Sequence, residues 1–131
     1  MPIKTKKLSN PTEKSDGCRI LITRYRPQWV RKENENWDEW DRRLAPSRDL
    51  HAAWYGRKRE NGKVVQRNLP QIPWNEYKEC FLKEMESAEA KEAIKSLRER
   101  SAKGEIITVL CKCEDESHCH RSLVKKLIEA I

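Results

Sequence analysis

A short segment near the carboxyl end of the chain concentrates the side chains that can do chemistry. It reads Cys111-Lys-Cys113-Glu-Asp-Glu-Ser-His118-Cys119-His120-Arg121. We expect Ser117 to cap a helix, which would place residues 118–121 in its first turn, where free backbone amides and the helix dipole favour an anion. The same field, with a neighbouring His or Arg, lowers the pKa of a thiol. The segment therefore predicts Cys119, His120 and Arg121 as catalytic residues, with Cys119 as a thiolate nucleophile.

Helical spacing predicts the direction in which the His120 side chain points. It stands three residues before Leu123 and four before Val124, which places it above the apolar stripe of the last helix. Because helical side chains lean toward the amino end, His120 is predicted to point into the crevice above the strands. Two alternatives stay open. Cys119 can be a small buried hydrophobic residue, and His120 can be a core histidine bonded to a strand-end carbonyl.

Guanidinium groups from two loops can complete an anion site. Arg24 and Arg26 follow the first buried strand, and Arg121 follows the Cys-His pair. The paired N–H donors of arginine suit phosphate and carboxylate groups. We therefore predict Arg24, Arg26 and Arg121 as anion-binding residues and an anionic small molecule or nucleotide as the ligand. As alternatives, Arg24 and Arg26 are ordinary surface charges, and Arg121 pairs with the acidic run 114–116.

The same segment offers ligands for a metal ion. Structural zinc sites usually space their ligands as C-x2-4-C or H-x3-5-H. A C-x-C pair followed by H-C-H is too crowded for all five side chains to reach one ion, although three of them could, leaving an open position. The sequence requires no cofactor, and a zinc-binding structural or interaction protein is kept as an alternative, with four candidate ligands: Cys111, Cys113, His118 and Cys119.

Two nearly continuous apolar runs, at residues 18–23 and 106–111, must position these groups. Such runs are typical of strands covered by helices on both faces. Helical spacing of apolar residues is predicted at 36–44, after the capping residue Ser47, from Trp74 to Met85, at 90–101 and from 123 onward. Strands separated by helices indicate an α/β fold, here a small parallel-type sheet flanked by helices in three layers.

Open parallel sheets bind ligands beyond the carboxyl ends of their strands. In this chain those ends lead into residues 24–28 and 112–119, which carry the thiol, imidazole and guanidinium groups described above. The predicted site therefore lies between these two loops.

The length of 131 residues fits one domain. We expect a flexible N-terminal arm at 1–16 and a single α/β domain at 17–131, with a basic β-hairpin insertion at 57–73 around Asn61-Gly62. The segment 1–16 has no apolar core of a signal peptide, no apolar run approaches the ~20 residues of a membrane span, and five cysteines are an odd number. These features predict a cytoplasmic protein with reduced thiols and no membrane partner.

The formal net charge of +7 favours acidic partners. The basic hairpin has Trp54, Tyr55 and Trp74 nearby in sequence, and aromatic rings among cations suit single-stranded nucleic acid. A non-enzymatic nucleic-acid-binding module that uses this basic surface is therefore the alternative to an enzyme.

Several motifs together resemble the family of domain of unknown function 488, DUF488. They are Trp37-Asp-Glu-Trp40, Leu44-Ala45-Pro46-Ser47, Leu50, Trp54-Tyr55-Gly56, Arg24-x-x-Pro27-x-x-Val30-x-Lys32, and Cys119-His120-Arg121 after the last strand. The resemblance covers most of residues 18–131 and implies a compact α/β fold, with interest centred on Arg24, Cys119, His120 and Arg121. It implies no particular reaction. Trp29 stands where relatives often have Gly, and 57–73 resembles an insertion.

Overall fold

The computed structural model describes residues 3–112 and 116–130. Its strands are β1 (Lys4–Lys7), β2 (Cys18–Leu21), β3 (Glu39–Trp40), β4 (Lys58–Glu60), β5 (Lys63–Gln66) and β6 (Ile107–Cys111), and its helices are α1 (Arg48–Trp54), α2 (Trp74–Glu84), α3 (Ala88–Ala102) and α4 (His120–Glu129). One sheet has the order β1-β6-β2-β3, with each neighbouring pair parallel, and β4 and β5 form a separate antiparallel hairpin. The predicted α/β fold with a parallel sheet is confirmed.

The two central strands are buried on both faces, which is why their sequences are nearly continuously apolar. Ile20 and Val109 face a cluster to which all four of these helices contribute and in which Phe81 is fully buried. Leu21 and Leu110 face the opposite side, where Leu8, Trp37 and Trp40 cover them. The layer on that second face is built from loops and 3-10 turns rather than from α-helices.

Local signals set the ends of the helices and the turn of the hairpin. The Ser47 hydroxyl accepts a hydrogen bond from the Leu50 N–H at 3.1 Å and begins α1, as predicted. Ser87 begins α3 in the same way. The hairpin turns at Asn61 and Gly62, which both have positive φ, 51° and 80°, as a two-residue type I′ turn requires. In the described residues, no helix has the length and apolarity to cross a membrane.

The prediction of a flexible arm at 1–16 is wrong for the residues described. Lys4–Lys7 forms the edge strand β1 beside β6, and the flanking Ile3 and Leu8 are only 1% and 2% exposed. The Ile3 N–H also donates to Glu129 of α4 at 3.0 Å. Lysines obscure this strand in the sequence because an edge strand has an exposed side on which charged residues are favoured.

The predicted helix at 36–44 is also wrong. Glu39–Trp40 is instead the edge strand β3, paired with β2, and a 3-10 turn follows at Arg42–Leu44. The Asp38 and Asp41 amides bond to β2 carbonyls at 2.7 and 2.9 Å. The spacing of the tryptophans was compatible with a helix, but pairing with the sheet edge decides the local structure.

Buried Ile3, directly before the edge strand β1, generates a stability prediction. Ile3→Ala removes a side chain that is 1% exposed, so the free energy of unfolding should fall by about 2–4 kcal/mol in urea denaturation. Ile106→Ala is the matched control, because Ile106 is 41% exposed and should lose less than about 1 kcal/mol. Equal, small losses in both variants would mean that the N-terminal strand is not docked.

Candidate functional site

The candidate site lies at the carboxyl edge of the two central strands. Because β2 and β6 are parallel, with Leu21 opposite Leu110, both strands end at the same edge, and α4 begins there. A narrow cavity with about 30 Å³ of free space lies at this edge. The residues that line it lie at or just after the ends of the two strands, in or next to α1 and α2, and around the start of α4. They are Thr23, Arg24, Tyr25, Pro46, His51, Trp54, Tyr55, Tyr77, Cys111, Lys112, His118, Cys119 and His120.

The start of α4 differs from the predicted one. A 3-10 turn at Glu116–His118 precedes it, and the N-cap is Cys119, with an extended backbone at φ −137° and ψ 142°. The prediction that Ser117 caps the helix is therefore wrong by two positions. The turn separates the neighbouring histidines: His118 is exposed and lies against Trp74, with ring centroids 5.2 Å apart, whereas His120 is buried.

Two thiols and an imidazole meet at the floor of the cavity. His120 Nδ1 lies 3.8 Å from Cys111 Sγ and 4.0 Å from Cys119 Sγ. All three residues are at most 5% exposed, and the three potential ligand atoms lie within 4.8 Å of one another. We call this group the Cys-His cluster. Its members come from the end of β6, the N-cap of α4 and the first residue of α4.

A backbone carbonyl fixes the orientation of the imidazole. His120 Nε2 lies 2.7 Å from the Ile22 carbonyl oxygen, which can only accept, so Nε2 carries the proton and donates it. In the neutral ring, Nδ1 therefore presents its lone pair to the two sulfurs. The Phe81 ring packs against the imidazole at 5.4 Å. His120 is thus bonded to a strand-end carbonyl, as the structural alternative expected, and also faces the predicted catalytic thiol.

The wall of the cavity is positively charged. Arg24 and Lys112 line it, and Lys112 Nζ lies 5.5 Å above the Tyr55 ring. Burial lowers the pKa of His51 to about 4, and the charges of Lys112 and Arg57 act in the same direction. His51 is therefore neutral at pH 7, and the local positive charge comes from the arginine and lysine side chains. Such a potential favours anions.

The three predicted anion-binding arginines go to different places. Arg24 borders the cavity, but its Nε donates to the Pro46 carbonyl at 2.7 Å and one terminal nitrogen donates to the Arg42 carbonyl at 3.1 Å. Arg26 pairs with Glu35 at 2.6 Å. Buried Arg121 lies 3.4 Å from the Cys111 carbonyl. Of the three, in the part of the chain described, only Arg24 lines the cavity.

The candidate metal ligands separate as well. Cys111 and Cys119 converge, and their third neighbour is His120 rather than His118. Cys113 lies outside the described residues. Lys112 is not among the predicted site residues, although its position directly after a strand end is a usable signal. His51 also lines the cavity, and nothing in the spacing of α1 marks that residue as part of a site.

Comparison with known proteins identifies a family for this chain. A family model described as "DUF488-N3a: Active DUF488-N3 subclade" matches residues 3–131. The uncharacterized protein YeaO of Escherichia coli (strain K12) is 41% identical over 56 residues, which are 43% of this chain and 49% of YeaO. The match thus spans about half of that curated relative. No solved structure matches the chain.

The environment of His51 generates a pH prediction. With a pKa of about 4 in the folded chain against ~6.5 when unfolded, His51 binds a proton more readily in the unfolded chain. Its contribution to stability should therefore be present above about pH 6.5 and be lost as the pH falls toward about 4. NMR titration of the His51 ring proton, assigned with His51→Gln, checks this. A midpoint near pH 6.5 would contradict it.

Proposed function

This chain belongs to the DUF488 family, in the subclade described as active, and on this premise we propose that it is an enzyme that acts on a small anionic molecule. The substrate site is the cavity at the carboxyl ends of β2 and β6. The observation that carries the proposal is the convergence, in one cavity, of the buried Cys-His cluster with the cationic side chains of Arg24 and Lys112. Parallel sheets bind ligands at this edge.

Charge and size define the class of substrate. The positive groups at the wall attract an anion, and Lys112, which is exposed, can reach a ligand at the mouth. Since the free space is only about 30 Å³, the reacting end of a substrate enters while the rest stays outside. A small molecule or nucleotide that carries a phosphate or carboxylate group fits these conditions.

The Cys-His cluster supplies the reactive groups. His120 Nδ1 can accept a proton from either thiol, because Nε2 is already committed as a donor to Ile22. Cys119 is the better candidate for a thiolate, since it lies at the start of α4, where the helix dipole stabilises negative charge. The same lone pair and sulfurs can bind a metal ion, and both chemistries place the reactive atom at the floor of the cavity.

The nucleic-acid alternative has weaker support. Of the aromatic residues near the basic hairpin, Trp54 and Trp74 pack with Tyr77 against the helix cluster, with ring centroids 4.8–5.9 Å apart. These half-buried tryptophan rings are packed against their neighbours and leave less ring surface on which a base could stack. Tyr55 is 45% exposed, but it lies on the cavity and beneath Lys112. These placements favour a small ligand.

Inorganic phosphate is the probe that tests the proposal. In NMR titration at low salt, phosphate should shift the amide signals of Thr23, Lys112 and His51. Lys112→Gln should weaken binding about fivefold, because one charge near a surface site contributes about 1 kcal/mol. Lys63→Gln, on the exposed hairpin strand β5, is the matched control and should leave the affinity unchanged.

Two results would contradict the proposed substrate site. One is an identical phosphate affinity in wild type and Lys112→Gln. The other is a set of shifts confined to residues 57–67, which would move the anion site to the hairpin and favour nucleic-acid binding.

A further inference from the structure

The geometry of the Cys-His cluster is close to that of a metal site. At Zn–S distances of about 2.3 Å and Zn–N distances of about 2.0–2.1 Å, tetrahedral ligands lie roughly 3.6 Å (N to S) and 3.8 Å (S to S) apart. In this chain, His120 Nδ1 lies 3.8 and 4.0 Å from the sulfurs of Cys111 and Cys119, and the three atoms lie within 4.8 Å of one another. Small rotations of these side chains bring all three to one ion.

The support around the imidazole also fits a metal ligand. A histidine that binds a metal through one nitrogen almost always donates its other N–H to a carbonyl, carboxylate or water, which fixes the tautomer. Here His120 Nε2 donates to the Ile22 carbonyl, which directly follows β2. The ring is therefore held with its lone pair toward both sulfurs. Phe81 packs against it at 5.4 Å and limits its rotation.

Charge balance is consistent with a metal ion at this buried position. Neutral thiols that only fill space need no imidazole lone pair beside them. Two thiolates alone would be costly to bury, because isolated charge is poorly solvated in a protein interior. Two thiolates, one neutral imidazole and one divalent cation sum to zero net charge. The cluster is buried, and a neutral complex is the form that burial favours.

We propose that Cys111, Cys119 and His120 bind one Zn²⁺ ion whose fourth coordination position faces the cavity. All three ligands line that cavity, so a water molecule or one atom of an anionic ligand can complete the tetrahedron. The ligand set differs from that expected from the sequence, because His120 takes the place of His118. The assignment of the fourth position to substrate rests on the proposed function, whereas zinc binding by the three side chains does not.

An open fourth position deepens the proposed function and replaces one part of it: with zinc bound, the two thiolates and the His120 Nδ1 lone pair hold the metal and do not act as nucleophile and proton acceptor. Zinc in such a site acts as a Lewis acid toward a bound oxygen and lowers the pKa of bound water. The cationic groups Arg24 and Lys112 at the wall then attract an anion toward a metal centre that has no net charge of its own. The substrate class becomes a small anion that offers an oxygen to the metal.

Metal content measures the first part of the proposal. The full chain, purified without a histidine tag from zinc-supplemented culture, should contain about one zinc per chain by mass spectrometry. Cys111→Ser, Cys119→Ser and His120→Asn should each lose most of the metal. Their matched controls, Cys18→Ser, Cys80→Ser and His118→Asn, should retain it, because these side chains lie outside the cluster.

A measurement on the wild-type chain keeps the proposal testable if a ligand variant fails to fold. Cobalt added to the chain after zinc removal should give thiolate-to-cobalt charge-transfer absorption and the intense visible bands of tetrahedral coordination. Phosphate, if it reaches the fourth position, should change those visible bands. Cys113→Ser should leave both the zinc content and this response intact.

Several outcomes would overturn the inference. Absence of zinc together with absence of cobalt bands in the wild-type chain removes the site, as does loss of metal in His118→Asn but not in His120→Asn. Loss of metal in Cys113→Ser would show four protein ligands and close the fourth position. If the chain contains no zinc but still binds phosphate through Lys112, the zinc site is refuted and the proposed substrate site is not. Zinc binding without a phosphate site refutes only the proposed substrate.

Discussion

The parallel pairing of β2 with β6 is the constraint on which the site depends. With Ile20 opposite Val109 and Leu21 opposite Leu110, the alternation of side chains turns Cys111 toward the helices, on the same face as the residues before it at 107 and 109. Beyond β2, the Ile22 N–H donates to the Leu110 carbonyl at 3.0 Å, and the Ile22 carbonyl binds His120. A slip of one residue would turn the Cys111 thiol to the opposite face and separate it from the imidazole.

The second face of the sheet holds the amino-terminal segment in place by polar contacts. The buried Asp16 carboxylate pairs with Arg19 and, at 2.8 Å, with Lys6 of β1. The Asp16 backbone carbonyl accepts a hydrogen bond from the Thr108 hydroxyl at 2.8 Å. Buried charges are tolerated when they are paired and hydrogen-bonded in this way. The network joins β1, β2 and β6, so the strand that carries Cys111 is flanked on both edges. The floor of the cavity is consequently part of the buried, hydrogen-bonded interior.

Sequence patterns predict the elements whose local signals agree with their packing. Continuous apolar runs predict the two central parallel strands, and Ser47 and Asn61-Gly62 mark a helix start and a turn by side-chain and backbone chemistry that acts within a few residues. Sequence patterns fail where contacts with residues distant in the chain determine the local structure. The buried apolar residues at β1 are Ile3 and Leu8, which flank the strand and form no strand pattern in the sequence. The spacing of Trp37 and Trp40 suits a helix as well as a sheet edge. In the site, the 3-10 turn at Glu116–His118 determines which histidine turns inward, and that turn has no strong sequence signal.

The hydrogen bonds that the Arg24 guanidinium already makes within the protein limit how this residue can act at the cavity. Its guanidinium bonds the carbonyls of Pro46 and Arg42, at 2.7 and 3.1 Å, so these donors hold the loop before α1. Burial lowers the pKa of Arg24, with the nearby Arg48 acting in the same direction, yet arginine stays charged at neutral pH. Arg24 therefore supplies a fixed positive field at the cavity wall rather than a bidentate contact to a ligand. Lys112, on a flexible stem, is the cation that can follow an anion into the mouth. In the proposed function, selection for negative charge precedes any contact of the substrate with the Cys-His cluster, and the narrow space beyond admits only the reacting end of the substrate.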